Sequence, residues 1–257
     1  MPWVSVCDYE AMSRLAADRM FEIIRAKARA GAGVSLGLAT GKTMVRLYEL
    51  LAVRLNQGAV DLSGLVTYNL DEYLDATGKW LAPTHALSYR RYMQENLFSR
   101  LQPARGFRPA NMRFPGAADP AGYDAEIARR GGLDFQLLGL GFNGHIAFNE
   151  PIPESRISPE AFAALPTRIV ELELLTRQTN ARLTAGGDLG AVPSQAVSMG
   201  MRSILAAKEI LLLTCFPEQA APLAVLQSGR VSSEIPATFL CGHPKLTVVY
   251  TTDCIAV

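Results

Sequence analysis

Short apolar runs alternate with helical patterns along most of this 257-residue chain. The clearest apolar runs cover residues 34–39, 65–70, 133–139 and 246–250, and polar turns interrupt them. Strands that alternate with helices form a mostly parallel sheet, because each parallel connection needs a crossover. The pattern therefore predicts a layered α/β fold, with helices on both faces of the sheet and residues 1–257 in a single domain.

Two of these runs end in a polar turn that contains glycine. Thr40-Gly41-Lys42-Thr43 follows the run 34–39, and Gly141-Phe142-Asn143-Gly144-His145 follows the run 133–139. Ligands of open α/β sheets bind beyond the carboxyl ends of the strands, and histidine exchanges protons near neutral pH. We therefore expect His145 in a site at this edge. A tight turn with a histidine that caps a neighbour is the alternative.

The first of these turns invites comparison with the ATP-binding P-loop. Only three residues separate Gly37 from Gly41, so the spacing G-x-x-x-x-G-K-[ST] fails by one, which counts against a nucleotide hydrolase. A strand-to-helix turn with glycine, hydroxyl groups and Lys42 still suits an anion. The sequence predicts a phosphate-binding turn here, and a helix cap with an exposed lysine is the alternative.

Two carboxylates follow the run 65–70 directly. Adjacent side chains diverge on an extended backbone, so only one of Asp71 and Glu72 is expected to face a cleft shared with His145. A carboxylate there could move a proton between neighbouring carbons of a substrate. The competing interpretation is that both acids cap the next element.

Composition restricts the classes of partner. The net charge of +1 offers no basic surface to nucleic acid or an anionic membrane. No apolar run approaches the roughly 20 residues of a membrane span, and residues 1–8 lack a secretory pattern. The four cysteines form no CxxC pair and are expected as buried thiols. We expect a cytoplasmic protein with neither nucleic acid nor membrane as partner, and the oligomeric state is open.

Residues 151–193 break the alternation. This segment holds four prolines in its first part and several glycines near its end. Polar segments of this kind inside a compact domain are commonly surface loops, and some cover a binding site. We predict that residues 151–193 form a mobile lid rather than a separate domain.

Together these motifs resemble the glucosamine-6-phosphate deaminase (isomerase) family. The resemblance rests on Thr40-Gly41-Lys42-Thr43, on Asn69-Leu70-Asp71-Glu72-Tyr73 and above all on the segment 144–151, Gly-His-Ile-Ala-Phe-Asn-Glu-Pro. It spans nearly the whole chain. The related 6-phosphogluconolactonases share the fold and the Gly-His pair but typically lack the Asn-Glu-Pro ending. The resemblance implies a Rossmann-like sheet, a lid and conversion of an amino sugar phosphate and water to a ketose phosphate and ammonia.

The resemblance also implies a role for each matching residue. Asp71 matches the aspartate that moves a proton between C2 and C1, His145 the ring-opening acid/base, and Glu150 the carboxylate that supports it. Arg182 matches the lid arginine that clamps the phosphate. Substrate contacts are expected for a wider set: Thr40, Gly41, Lys42, Thr43, Glu72, Gly141 and Gly144. Tyr73 is a further candidate to line the sugar site. The family implies neither a metal nor an organic cofactor.

Several positions depart from the family. Asn143 stands where many members carry an aspartate beside the histidine, and an amide can orient a ring without offsetting its charge. Gln219 stands where the family has a phosphate-binding lysine, and Lys42 replaces a glycine. We expect Lys42 and Arg182 to meet the phosphate charge together.

Regulation and the competing functions also follow from this comparison. Arg168 aligns with an effector contact, but Val170 and Pro153 replace polar partners there and the chain ends at Val257, so we expect no effector activation.

A sugar-phosphate lactonase or isomerase is the alternative enzyme. A sugar-phosphate sensor domain is the alternative of another class, disfavoured because the first strand leaves no room before it for a DNA-binding segment.

Overall fold

The computed structural model describes residues 1–256, and within them the chain forms ten strands and eight α-helices joined by 3-10 turns. In chain order these are β1 (Trp3–Val6), α1 (Tyr9–Arg29), β2 (Val34–Leu38), α2 (Val45–Gln57), β3 (Leu65–Asn69), β4 (Asp71–Leu74), α3 (Tyr89–Asn96), β5 (Met112–Arg113), α4 (Pro120–Arg129), β6 (Phe135–Gly139), α5 (Pro159–Ala163), β7 (Arg168–Glu171), α6 (Leu174–Thr184), β8 (Gln195–Ser198), α7 (Met201–Leu205), β9 (Ile210–Thr214), α8 (Ala220–Ser228) and β10 (Leu246–Thr251).

Seven strands form one parallel sheet in the order β1-β10-β9-β6-β2-β3-β5. The chain proceeds in one direction from β2 to β3 and β5, then returns to the other side of β2 with β6. The strand order therefore reverses between β2 and β6, which is where ligands of open α/β sheets bind. The prediction of a mostly parallel α/β sheet is confirmed.

Helices cover the sheet because each pair of successive parallel strands needs a crossover connection, and these crossovers are right-handed. That rule places α1 and α2 on one face, where they pack against each other, and α4, α7 and α8 on the opposite face. Helix α1 begins at Tyr9, since the Asp8 carboxylate accepts a hydrogen bond from the Ala11 N–H. Its buried stripe includes Met12, Ala16, Met20 and Ile24.

A second sheet was not predicted. Strands β4, β8 and β7 form a three-stranded antiparallel sheet, in which Asp71 is paired with Ser198 and Ser198 with Arg168. A small core lies against it, formed by Tyr73, Leu81, Leu87, Phe148, Val170, Leu172, Ala181, Val192 and Ala196. This sheet places Asp71 at the start of a strand, directly after β3.

Two further features concern α3 and the cysteines. Helix α3 begins at Tyr89, ends at Asn96 and continues as a 3-10 turn. The expectation of buried cysteines is wrong, because Cys7 and Cys254 are exposed and the other two are half-buried. Among residues 1–256, no helix combines the length and apolar character needed to cross a bilayer.

Candidate active site

A single cavity lies at the carboxyl edge of four adjacent strands, β9, β6, β2 and β3. The segments that follow these strands supply most of its wall, and α6 closes one side. Of the residues named from the sequence, Thr40, Gly41, Lys42, Thr43, Asp71, Gly141, Asn143, His145 and Gln219 line the cavity. The structure thus brings together three motifs that lie far apart in the chain.

The turn after β2 is held rigidly from outside the cavity. The Tyr92 hydroxyl donates to the Gly41 carbonyl over 2.7 Å, and the Tyr9 hydroxyl donates to the Lys42 carbonyl over 3.0 Å. Gly41 has a φ of 113°, a conformation that favours glycine. A 3-10 turn and α2 follow at once, so the positive end of a helix faces this part of the cavity.

Lys42 is exposed at the mouth of the cavity. No carboxylate among the described residues forms an ion pair with its ammonium group. A cation without a protein counter-ion beside a helix N-terminus can attract an anionic ligand.

Gln219 has a structural role on the opposite wall. Its Oε1 accepts hydrogen bonds from the backbone N–H groups of Cys215 and Phe216, and its Nε2 donates to the Leu140 carbonyl over 2.6 Å. The side chain therefore joins the turns after β9 and β6. The side chain is buried, both of its polar atoms bond to the backbone, and as a neutral amide it offers no charge to a ligand.

In the turn after β6, the imidazole of His145 packs closely against Gly141. Gly141 N–H donates to the His145 carbonyl, and a Cβ atom at Gly141 would lie 2.4 Å from the imidazole Nδ1. Gly144 has a φ of 86° and packs against Ile235 instead of lining the cavity. The expected substrate contact at Gly144 is therefore corrected: this glycine shapes the turn.

His145 lies against a buried carboxylate. Its Nδ1 is 3.3 Å from Glu150 Oε2 and 3.2 Å from the Thr176 hydroxyl oxygen. Asn143 Nδ2 donates to Glu150 Oε2 over 2.8 Å, and Asn143 Oδ1 accepts from the His145 N–H. Asn143 thus fixes the carboxylate and the turn, while the imidazole contacts Glu150 itself. With Nδ1 engaged, Nε2 is the ring nitrogen left for a ligand.

The electrostatics of Glu150 favour its charged form. Burial raises the pKa of this carboxyl, but the positive charge available on His145, the hydrogen bond from Asn143 and the polar groups of His145 and Thr176 outweigh burial. The pKa of Glu150 therefore lies below its usual range. An ionised Glu150 favours a proton on Nδ1 of His145, which leaves Nε2 able to accept one.

Asp71 has the opposite environment. The residue is 5% exposed, and no hydrogen bond from the described part of the chain reaches its carboxylate. Burial raises the pKa of Asp71 well above its usual range, and the adjacent Glu72 charge adds to the rise. A carboxylate with a raised pKa is a stronger base, so Asp71 is suited to proton transfer.

Glu72 does not line the cavity, which corrects the predicted substrate contact. Its side chain is fully buried and accepts hydrogen bonds from the backbone N–H groups of Tyr89 and Arg90 and from the Ser88 hydroxyl. Ser88 is the N-cap residue of α3, so Glu72 secures the start of that helix. The alternative that both acids cap the next element therefore holds for Glu72 and not for Asp71.

Arg182 lies outside the cavity in this structure. Its guanidinium pairs with Glu218 over 2.7 Å and lies 5.7 Å from the centre of the Phe142 ring. The segment 151–193 that carries it folds into α5, β7 and α6 instead of a continuous loop. A mobile lid and the phosphate contact of Arg182 stay predictions.

Four further residues near the reacting groups escaped the sequence analysis. Tyr89, Phe148 and Asn180 line the cavity, and Thr176 contacts His145. Tyr73 lies behind Tyr89, and its hydroxyl accepts hydrogen bonds from Tyr89 and Asn180 instead of lining the cavity. No motif marks Thr176 or Asn180, because both lie on α6, whose sequence shows little apolar periodicity.

Residues 1–256 contain no group of three His, Cys, Asp or Glu side chains arranged to hold a metal ion. The absence of a cofactor stays a prediction.

The fold and the cavity together define an α/β enzyme whose site lies at a reversal of strand order. Residues 7–148 match the family described as glucosamine-6-phosphate isomerases/6-phosphogluconolactonase. A glucosamine-6-phosphate deaminase of Halothermothrix orenii is 39% identical over 216 residues, 83% of each chain. The one of Lachnoclostridium phytofermentans is 38% identical over 251 residues, which cover 97% of this chain and 98% of the other.

Solved structures give the same grouping. A monomeric glucosamine-6-phosphate deaminase superimposes with a TM-score of 0.86 at 30% identity, over 98% of both chains. A 6-phosphogluconolactonase from Plasmodium vivax, with a TM-score of 0.72 at 16% identity over 99% of this chain and 91% of the other, shares the fold. The chain belongs to the glucosamine-6-phosphate isomerase/6-phosphogluconolactonase family.

Proposed function

We propose that this protein is an amino sugar phosphate deaminase, which converts glucosamine 6-phosphate or galactosamine 6-phosphate and water to the corresponding ketose 6-phosphate and ammonia. The observation that carries the proposal is the pairing of two proton-transfer groups in one cavity. The His145–Glu150 pair and the isolated Asp71 carboxyl both line or adjoin it, beside an anion-binding turn. The names of the similar deaminases support this assignment.

Ring opening is assigned to His145. The step removes the proton from the anomeric hydroxyl O1 and adds a proton to the ring oxygen O5, while the C1–O5 bond breaks. One group that both accepts and donates can do this, and Nε2 of His145 is the free ring nitrogen. Glu150 and Asn143 keep the imidazole oriented during the transfer.

Isomerisation is assigned to Asp71. Its carboxylate takes the proton from C2 while the ammonium group of the substrate gives a proton to the C1 carbonyl oxygen, which forms a neutral 1,2-enolamine. Asp71 then returns its proton to C1, and C2 becomes an iminium carbon. Water adds to that carbon, its protons pass to the nitrogen, and the amine leaves as ammonium, so that the water oxygen remains as the ketone oxygen. The burial that raises the pKa of Asp71 strengthens it as a base for the C2 proton.

The phosphate is assigned to the turn Thr40-Gly41-Lys42-Thr43. Its hydroxyl groups, the start of α2 and the unpaired Lys42 offer hydrogen bonds and positive charge. Arg182 would join them after leaving Glu218, in the role implied by its match to the lid arginine. A phosphorylated sugar does not cross membranes unaided, so we infer that the protein acts in the cytoplasm.

A coupled assay of ammonia release tests the proposal with both hexosamine 6-phosphates and, in a parallel arm, with 6-phosphogluconolactone. We expect ammonia from at least one amino sugar, and loss of about 10²–10⁴-fold in kcat for His145→Gln and Asp71→Asn. His85→Gln, at an exposed histidine, is the matched control and should retain activity. Lactone hydrolysis without ammonia release would shift the assignment to the lactonases, and inactivity on all three substrates would favour a sensor.

A further inference from the structure

The imidazole of His145 touches two side chains through the same nitrogen. Glu150 Oε2 lies 3.3 Å from Nδ1, and the Thr176 hydroxyl oxygen lies 3.2 Å from it. Glu150 follows β6 closely in the chain, whereas Thr176 comes from α6 in the segment predicted as a lid. One of the two contacts that orient His145 therefore depends on where α6 lies.

Glu150 is also linked to α6. This helix has no side-chain cap of its own, and the N–H of its N-cap residue, Glu173, points to Glu150 Oε1 over 3.4 Å. A carboxylate at a helix N-terminus is stabilised by the unpaired N–H groups and the helix dipole. The nearby Thr176 hydroxyl also favours the charged form of Glu150 and helps to lower its pKa. Helix α6 thus contributes to both members of the His145–Glu150 pair.

The same helix carries the arginine expected to bind phosphate. Thr176 and Arg182 lie six residues apart on α6, about 9 Å along the helix axis. Thr179 and Asn180, which lie between them on α6, line the cavity. A rigid helix that reaches from the phosphate end to the imidazole transmits a shift at one end to the other.

We propose that Thr176 is a positioning residue for His145 and Glu150, which makes this acid/base pair complete only when α6 is seated on the cavity. The inference rests on the proposed function, since it assigns a task to the same site. The hydroxyl can donate to the ionised carboxylate and accept from the protonated Nδ1, so it fixes both partners in one arrangement. Other titratable groups on the cavity wall are Asp71, Tyr89 and Lys42, none of which is hydrogen-bonded to the imidazole.

Two substitutions at Thr176 distinguish the effect of its hydroxyl group from the effect of its volume. Thr176→Val removes the hydroxyl and keeps the volume, and Thr176→Ser restores the hydroxyl. For Val we expect kcat for the amino sugar phosphate to fall at least ~10-fold with KM changed less than ~3-fold, since small misplacements of reacting groups reduce kcat strongly. Ser should recover most of the loss. Thr184→Val, an exposed threonine of the same helix, is the control.

A spectroscopic measurement decides the point without any substrate. The ¹⁵N shifts of the imidazole report which nitrogen carries the proton, and with three histidines in the chain a His145→Gln spectrum assigns the signals. We expect a dominant Nδ1–H form in the parent protein, a mixture of tautomers in Thr176→Val, and the parent pattern in Thr176→Ser and Thr184→Val. Thr176→Ala repeats the deletion if the valine variant does not fold.

The outcomes distinguish this inference from the proposed function. Unchanged imidazole shifts in both hydroxyl deletions would overturn the role of Thr176, whatever the activity. Equal changes in Thr184→Val would do the same, because they would reflect a general disturbance of α6. A protein that releases no ammonia would overturn the proposed function alone, and the shifts would still decide whether Thr176 orients His145.

Discussion

The imidazole of His145 lies so close to Gly141 that no larger residue fits at that position. A Cβ atom at Gly141 would approach Nδ1 and Cε1 to 2.4 Å each, well inside van der Waals contact. The glycine therefore sets the position of the imidazole from one side, while Glu150 and Thr176 contact it at Nδ1. The turn after β6 is shaped around one ring.

Gly141→Ala should displace the imidazole without unfolding the protein. We expect kcat for ammonia release to fall by about 10²-fold, because a shift near 1 Å misaligns the proton transfer. Circular dichroism checks the fold, and steady-state kinetics give kcat. Gly116→Ala is the control, since a Cβ there meets nothing within 4 Å. Full activity in Gly141→Ala would show that the ring is not held by this contact.

Asp71→Asn should stabilise the fold while removing the proposed base. The raised pKa of Asp71 means that its charged form is disfavoured in the native state, so stability is lost as pH rises through that pKa. Asn carries no charge, so we expect a higher Tm than the parent at neutral pH. The difference should vanish as pH approaches about 3.9, the pKa of an unperturbed aspartate.

An exposed aspartate whose pKa is lowered instead of raised serves as the control for this measurement. The Ser63 N–H donates to Asp61 over 2.9 Å, and that bond lowers the pKa of Asp61. Asp61→Asn should therefore leave Tm unchanged or lower it at neutral pH. Thermal unfolding followed across pH compares the two variants, and a lower Tm for Asp71→Asn than for the parent at pH 7 would contradict the prediction.

Lys42→Ala should weaken phosphate binding. Loss of a charge-assisted contact to the phosphate is expected to raise KM about 10-fold, with a smaller effect on kcat. The parent KM should also rise with salt more steeply than that of the variant. Lys245→Ala removes an exposed lysine just before β10, at the opposite edge of the sheet, and should change neither constant. An unaltered KM in Lys42→Ala would refute the role of this lysine.

Glu72→Gln should destabilise the fold because the carboxylate accepts several hydrogen bonds in a fully buried place. An amide group has one oxygen fewer, so donors at the start of α3 would face its NH₂. We expect a loss of roughly 2–4 kcal/mol in the free energy of unfolding, measured in urea. Glu95→Gln breaks an exposed ion pair with Arg91 and should cost less than ~1 kcal/mol.

Effector activation is expected to be absent. Arg168 donates to Asn149 Oδ1 over 2.8 Å, and the nearby positions Val170 and Pro153 offer no cation or hydroxyl to a phosphorylated effector. Initial rates against substrate concentration should follow a hyperbola, unaltered by added amino sugar phosphates. A sigmoidal curve that an effector makes hyperbolic would disprove this.

The parallel sheet could be predicted because its strands are buried on both faces. Strands β2, β3 and β9 are continuous buried runs, which stand out against the polar turns between them. The small antiparallel sheet left no comparable signal. Its strands β4 and β8 have four residues each, and β4 begins with two acids that composition assigns to a loop.

Site residues could be predicted where their position after a strand is enough to bring them to the cavity. They could not be predicted where the location of a side chain depends on its hydrogen-bond or ion-pair partner. Thr40, Asp71 and His145 reach one cavity because they follow adjacent strands. Glu72 was placed in the cavity because the start of α3, which its carboxylate binds, cannot be located before the chain is folded. The ion pair of Arg182 with Glu218 could not be foreseen either, and the phosphate contact of Arg182 stays a prediction. Thr176 was missed for the same reason, since its contact with His145 joins elements distant in sequence.

The small antiparallel sheet restricts which residues a mobile lid could contain. Strand β7 is paired with β8 up to Glu171, and the Leu172 N–H still bonds to the Ser194 carbonyl over 2.8 Å. Strand β4, which carries Asp71, is paired along the other edge of β8. If the predicted lid moves while the pairing of β7 with β8 stays intact, it comprises only residues 173–193 of the predicted 151–193 and would hinge at Glu173 and Pro193. Asp71 would then stay fixed while the phosphate end opens, and product could leave without disturbing the base.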